Sequence, residues 1–143
     1  MKPDQHDDTL TKQLHAAANS ATRTLDQRLK PLGVNSSQFF FILKLYEDPG
    51  LTQEQLVQAD VRHQSNVNRE ITKLVQLGFV TKQQSQTDKR RYHLFLTPTG
   101  TALYPQIKAA LAAQEAALQQ CLATVALTPE SFLAALRQIA ALT

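Results

Sequence analysis

The sequence predicts a mainly α fold with a small β-hairpin wing: a winged helix-turn-helix lobe joined to a helical dimerisation region. Three observations predict it. Apolar residues recur at three- and four-residue spacing along most of the 143 residues. Period-two alternation is confined to the stretch Tyr92–Leu96, which follows a polar, basic hairpin tip over 85–91. Breakers and caps fall between the periodic stretches, at Pro31, Gly33, Pro49–Gly50, Gly78, Thr97–Pro98 and Thr128–Pro129.

The first helix is expected over 9–30, where Leu10, Leu14, Ala17, Ala21, Leu25 and Leu29 share a face. Asp8 or Thr9 caps its start, and Pro31 with Gly33 ends it. The second is expected over 35–48. Asn35 and Gln38 are spaced as a capping-box variant, and Phe39, Ile42, Leu43 and Tyr46 form its apolar face. After Pro49–Gly50, Thr52 with Gln55 opens a short helix that runs to about Ala59. A break over 60–63 leads into a helix over 64–77, striped by Val67, Ile71, Leu74 and Val75. Gly78 stands where a helix end favours a left-handed residue. Strands are expected over 79–84 and 92–96. Thr97–Pro98 and Thr128–Pro129 each pair a cap residue with proline at the first helical position.

The final stretch, 101–143, holds 13 Ala and eight Leu but only four charged residues, Lys108, Glu115, Glu130 and Arg137. A helix apolar around most of its circumference has to be covered on several sides. A chain of this size has little to cover it with, so an identical copy is the expected partner. Pro105 is expected to kink this long helix near 101–104 or to delay its regular part. No repeat or low-complexity linker divides the chain. It reads as one unit, 1–143, with a winged lobe over 34–97 and helical dimerisation segments at 9–33 and 98–143.

Charge is unevenly spread. The net charge is +3, yet residues 62–91 alone carry +5, from seven basic side chains against Glu70 and Asp88. Residues 1–61 sum to −2 and residues 92–143 to zero. A local positive field of this kind suits a polyanion, and equally describes a solvated basic face. The apolar content of 43% excludes a disordered tail, and no apolar run is long enough to span a membrane. The polar N-terminal residues hold no apolar signal core, so the chain is expected in the cytoplasm. One cysteine, Cys121, excludes an internal disulfide and a cysteine-rich zinc site. The histidines (His6, His15, His63, His93) show no metal-ligand spacing. Neither Asp7–Asp8 nor Glu47–Asp48 is a poised acid–base pair, so neither an enzyme nor a cofactor is expected.

Residues 52–97 have what a DNA-reading head requires. The second helix of a helix-turn-helix has to expose polar residues near its N-terminus. Gln64, Ser65, Asn66, Asn68 and Arg69 lie off the Val67/Ile71/Leu74 stripe. Asn and Gln can pair with adenine, and Arg with guanine. Lys73 lies one turn on, within reach of a phosphate. At the hairpin tip, Lys89, Arg90 and Arg91 suit a minor groove or phosphates, and Asp88 suits bracing a neighbouring arginine. Arg62 completes the candidate DNA-contact set. The competing reading is a winged helix used only for protein interaction.

At these residues the sequence resembles the MarR family of winged-helix regulators, over about 9–142. The most specific match is Asp88-x-Arg90-x5-Leu96-Thr97-x2-Gly100, running from wing to helix. Leu51-Thr52-Gln53-Glu54-Gln55-Leu56, Ser65-Asn66-Val67-Asn68-Arg69 and Leu74-x3-Gly78-Phe79-Val80 match in the same order. The resemblance implies a homodimer binding a pseudo-palindromic operator in double-stranded DNA, most often as a repressor. It places Ser65, Asn66, Asn68 and Arg69 on the base-reading face, Arg90 in the minor groove, and Asp88 as its brace. Many members carry Thr where this chain has Asn66 and Asn68, and His63 and Gln64 are also atypical. It further implies a small, largely apolar or aromatic effector between lobe and dimer region. Leu14, His15, Arg23, Arg28, Phe40, Phe41 and Tyr46 are candidates to line that pocket, with plain core or surface as the alternative for each. Cys121 lies apart from the N-terminal cysteine of thiol-switch relatives, and is expected to be a buried structural residue.

Overall fold

The chain runs α1 (Leu10–Leu29), a 3-10 turn (Lys30–Leu32), α2 (Phe39–Glu47), α3 (Gln53–Ala59), α4 (Gln64–Gln76), β1 (Val80–Gln84), β2 (Tyr92–Leu96), α5 (Pro98–Ala123) and α6 (Pro129–Ala140). The computed structural model describes residues 9–59 and 64–142. This is a mainly helical chain with one antiparallel hairpin, in register from Val80 opposite Leu96 to Gln84 opposite Tyr92.

Three threonines start helices in the same way. Thr9, Thr97 and Thr128 are extended, so each hydroxyl turns back to accept from the backbone N–H three residues on, at 3.2, 3.1 and 3.1 Å. α4 ends in a Schellman arrangement. Gly78 takes φ +84°, its N–H donates to Val75 O (3.1 Å), and the Phe79 N–H donates to Leu74 O (3.0 Å).

The core is built by α2, α3, α4, the hairpin and the first turns of α5. Phe41, Ile42, Leu45, Leu56, Val67, Ile71, Leu74, Leu94 and Ile107 are fully buried in it, together with Leu29 of α1. α5 then leaves the lobe and packs along α1.

Several expectations are corrected. α2 begins at Phe39, not Asn35. Gln38 Oε1 accepts from the Asn35 N–H (3.2 Å) as the capping box required. Asn35 Oδ1, however, accepts from Ser37 N (2.9 Å) and closes a local turn instead. Asp26 Oδ1 holds that turn through Ser36 N at 2.7 Å. The buried face of α2 is Phe41, Ile42 and Leu45, so the expected face is rotated and Tyr46 stays exposed. α5 continues through Pro105 without a break. Leu103 and Ile107 are buried on either side of it, and their packing holds the helix across the missing N–H. Cys121 is exposed, not buried, because α5 has outrun the lobe at that point.

One pairing was not foreseen. The segment before α3 forms an isolated antiparallel bridge with β2. The Gly50 N–H donates to Leu94 O and the Leu94 N–H to Leu51 O, both at 2.9 Å, and Thr52 bridges His93. His93 Nδ1 donates to Gly50 O at 2.7 Å.

Candidate nucleic-acid interface

Burial of Val67, Ile71 and Leu74 fixes the rotation of α4, and the opposite face emerges from the lobe. Asn68, Arg69 and Lys73 are exposed on it, and Asn66 is half-buried at its edge. Gln64 and Ser65 lie in the first turn of α4. Arg62 and His63 lie outside the described residues.

The Asn66, Asn68, Arg69 and Lys73 side chains are linked to neighbours on α4 or to α3. Gln53 Nε2 donates to Asn68 Oδ1 at 2.9 Å, so the first residue of α3 orients a residue of α4. Arg69 Nη2 donates to Asn66 Oδ1 at 3.1 Å. Glu70 Oε1 lies 3.8 Å from both Arg69 Nε and Lys73 Nζ.

The wing tip is held by backbone and carboxylate together. The Ser85 N–H donates to Arg91 O (2.9 Å), and the Arg91 N–H to Asp88 O (3.0 Å). Ser85 Oγ accepts from the N–H groups of Thr87 and Asp88, both at 3.3 Å. Asp88 Oδ1 accepts from Arg90 N at 3.0 Å and lies 3.5 Å from Arg90 Nε, while Oδ2 lies 3.6 Å from Arg91 Nε. Arg91 also reaches Glu54 of α3 at 3.9 Å. The Arg90 side chain is 93% exposed, so its pairing with Asp88 leaves the guanidinium open to a further partner. Lys89 is exposed beside it, and its carbonyl accepts from Gln84 Nε2 at 2.8 Å. Exposed pairs of this kind add little stability; they fix shape.

A tight joint connects wing to α5. Thr97 Oγ1 donates to Gly78 O at 2.6 Å, and the Thr97 N–H donates to Phe79 O at 3.0 Å. Gly100 packs against the Phe79 backbone so closely that a methyl group there would collide with the Phe79 carbonyl oxygen. Thr97 and Gly100 of the wing-to-helix motif are therefore requirements of this joint.

The candidate effector residues are not gathered into one site. His15 is exposed on α1. Phe41 is buried, edge-on to Phe40 with ring centroids 5.9 Å apart. Tyr46 stacks on Tyr104 of α5 at 3.7 Å, nearly parallel. Arg28 Nε donates to Gln114 Oε1 at 3.1 Å. Gln114 was missed by sequence reasoning. It is buried, and its Nε2 donates to Ala21 O and Thr24 Oγ1, each at 3.0 Å, which pins α5 to α1. The available signal was a lone glutamine on the stripe between Leu111 and Leu118. Beyond it lies a cleft of about 330 Å³ between α1 and α5, lined in part by Ala17, Arg28, Leu118 and Cys121. Among the described residues no group of His, Cys, Asp and Glu could hold a metal, and no helix is long and apolar enough to cross a membrane.

Residues 34–92 match the MarR family model. Over 79 residues the chain is 30% identical to the uncharacterized HTH-type transcriptional regulator YybA of Bacillus subtilis (strain 168), covering 55% of this chain and 53% of that one. The chain spans about half the length of the curated relatives it matches. A MarR transcriptional regulator from Methanosarcina mazei Go1 superposes with a TM-score of 0.67 at 29% identity, over 76% of this chain and 78% of the other. The repressor CouR, solved on a 23-mer DNA duplex, superposes with a TM-score of 0.81 at 23% identity over 98% of each chain.

Proposed function

We propose that the chain is a MarR-family transcriptional regulator that binds DNA sequence-specifically as a homodimer and acts in the cytoplasm as a ligand-responsive repressor. The observation that carries this reading is where the charge sits. The positive excess of the whole sequence lies in 62–91, and its described members are exposed on α4 (Arg69, Lys73), on β1 (Lys82) and at the hairpin tip (Lys89, Arg90, Arg91) of the same lobe.

In this reading 34–97 is the DNA-binding lobe. α4 enters the major groove, with Gln64, Ser65, Asn66, Asn68 and Arg69 toward base edges. Arg62 and Lys73 meet phosphates. Arg90 enters the flanking minor groove, with Lys89 and Arg91 on the backbone and Asp88 as the brace. Segments 9–33 and 98–143 form the dimer. Support comes from the apolar surface left open there: Leu118, Val125, Leu127, Phe132, Leu133, Ile139 and Leu142 are all exposed, and Leu10 is 90% exposed. Two lobes related by a twofold axis then read half-sites of a pseudo-palindrome roughly 34–36 Å apart.

An effector acts by binding one lobe spacing better than another. The Tyr46–Tyr104 stack and the Thr97–Gly78 bond join lobe to α5 and carry that spacing. A small apolar or aromatic compound bound between the lobe and the dimer region fits this role.

Selection of bound fragments from a genomic DNA pool tests the proposal. The expected result is a recovered site with two related half-sites about one helical turn apart. Recovery of unrelated fragments without a common site contradicts it.

A further inference from the structure

Glu70 is the sole acidic residue of α4 and sits beneath its exposed cations. It is only 4% exposed. Oε1 lies 3.8 Å from both Arg69 Nε and Lys73 Nζ, too far for a hydrogen bond in either case. Oε2 is buried with no hydrogen-bond partner among the described residues. A carboxylate removed from water is costly unless its oxygens are satisfied, and an apolar side chain of similar size generally packs better in such a place. Stability of the lobe therefore does not account for Glu70. What the residue does is hold a negative charge under two cations that face outward from the same helix. Arg69 is held along the helix from its other end by Asn66 at 3.1 Å.

We propose that Glu70 is a specificity-setting residue, which holds Arg69 and Lys73 in internal pairs and so weakens their attraction for phosphate. The inference rests on the reading of α4 as the DNA-reading helix. On random duplex, phosphate contacts supply most of the binding, and those of Arg69 and Lys73 have to compete with Glu70. On the right site, Arg69 engages a base edge in the orientation that Glu70 and Asn66 set. Glu70 thus costs affinity on every wrong sequence and little on the right one.

The test is Glu70→Gln in the full chain, with dissociation constants measured on the selected duplex and on a random duplex across salt concentrations. Removing one opposing charge per lobe adds about two effective phosphate contacts per dimer. On random DNA the log–log salt slope steepens by about 1.8, which at 0.15 M salt is roughly thirtyfold tighter binding. Affinity for the selected duplex stays the same, so discrimination falls about thirtyfold. The exposed control Glu47→Gln, at the end of α2 and away from both α4 and the wing tip, leaves both unchanged. Glu70→Met provides a second uncharged variant if Glu70→Gln lowers the melting temperature. An equal gain on both duplexes, or no change in slope, overturns the proposal. So does a Glu70→Gln gain that persists when Arg69 and Lys73 are both replaced by Gln. A native chain that binds neither duplex sinks the DNA reading itself, which is a separate outcome.

Discussion

Gly100→Ala probes the joint between wing and α5 with a single methyl group. Gly100 is buried in the first turn of α5, and the new Cβ would meet the carbonyl oxygen, carbonyl carbon and Cα of Phe79. Those are backbone atoms, already fixed by the Phe79 N–H bond to Leu74 O and by Thr97 N donating to Phe79 O. No flexible side chain can give way, so the cost belongs at the upper end of overpacking, about 3 kcal/mol. For a chain of this size that lowers the melting temperature by roughly 10 °C. Gly78→Ala is the matched control. It sits two residues before the joint's partner strand at φ +84°, with nothing within 4 Å of the added Cβ. Only the left-handed backbone penalty applies, about 1 kcal/mol or roughly 4 °C. Differential scanning calorimetry of the two variants checks the ordering. Gly100→Ala should also weaken DNA binding more than Gly78→Ala, measured at a temperature where both are folded, because α5 can only clear Phe79 by tilting the lobe. If Gly100→Ala melts with or above Gly78→Ala, the close approach is not what joins wing to helix.

Other expectations follow from the same geometry. Arg90→Ala, at the open end of the wing, should weaken binding to all duplexes and lower the salt slope by about one per lobe, about two for the dimer; an unchanged affinity removes the wing from the interface. Asn68→Ala, which also frees Gln53, should relax sequence choice more than it weakens binding to random DNA, and a uniform loss on every sequence refutes base readout at that position. At micromolar concentration the chain should sediment as a dimer, at twice 15.9 kDa, and Phe132→Asp on the exposed face of α6 should shift it to monomer. A native chain that sediments as a monomer contradicts the dimer.

The parts legible in the sequence are those fixed by local chemistry. Thr9, Thr97 and Thr128 cap helices wherever the chain is extended before a periodic stretch. Gly78 marks the end of α4 because a left-handed residue there costs glycine nothing. The hairpin follows from the alternation over Tyr92–Leu96 after a polar tip. The parts that were not legible depend on distant partners. The run Phe39–Phe40–Phe41–Ile42–Leu43 offers several helical faces of similar polarity, so only packing against α5 and β2 could choose the one holding Phe41 and Leu45. The start of α2 is set by Asp26, ten residues away from the Ser36 it holds. Pro105 looked disruptive because the packing of Leu103 and Ile107 is invisible in the sequence. On the candidate interface, residue types on the α4 face and wing tip could be read directly. The bonds that orient them, Gln53 to Asn68 and Arg91 to Glu54, join elements that sequence spacing does not place together. Glu70 looked like an ordinary charge within a basic segment, and its burial came only with the structure.

The most direct test of the account is the salt dependence of binding to a duplex recovered from the genome. Arg62, Lys73, Lys89 and Arg91 of each lobe give about eight phosphate contacts per dimer, for a log–log slope near −7 and roughly a ten-thousandfold loss of affinity between 50 and 200 mM salt. Binding of that strength and steepness, centred on two half-sites, is the expected result. No recoverable duplex, or partner binding that is indifferent to salt, would contradict a DNA-reading dimer and point instead to a winged helix used for protein contact.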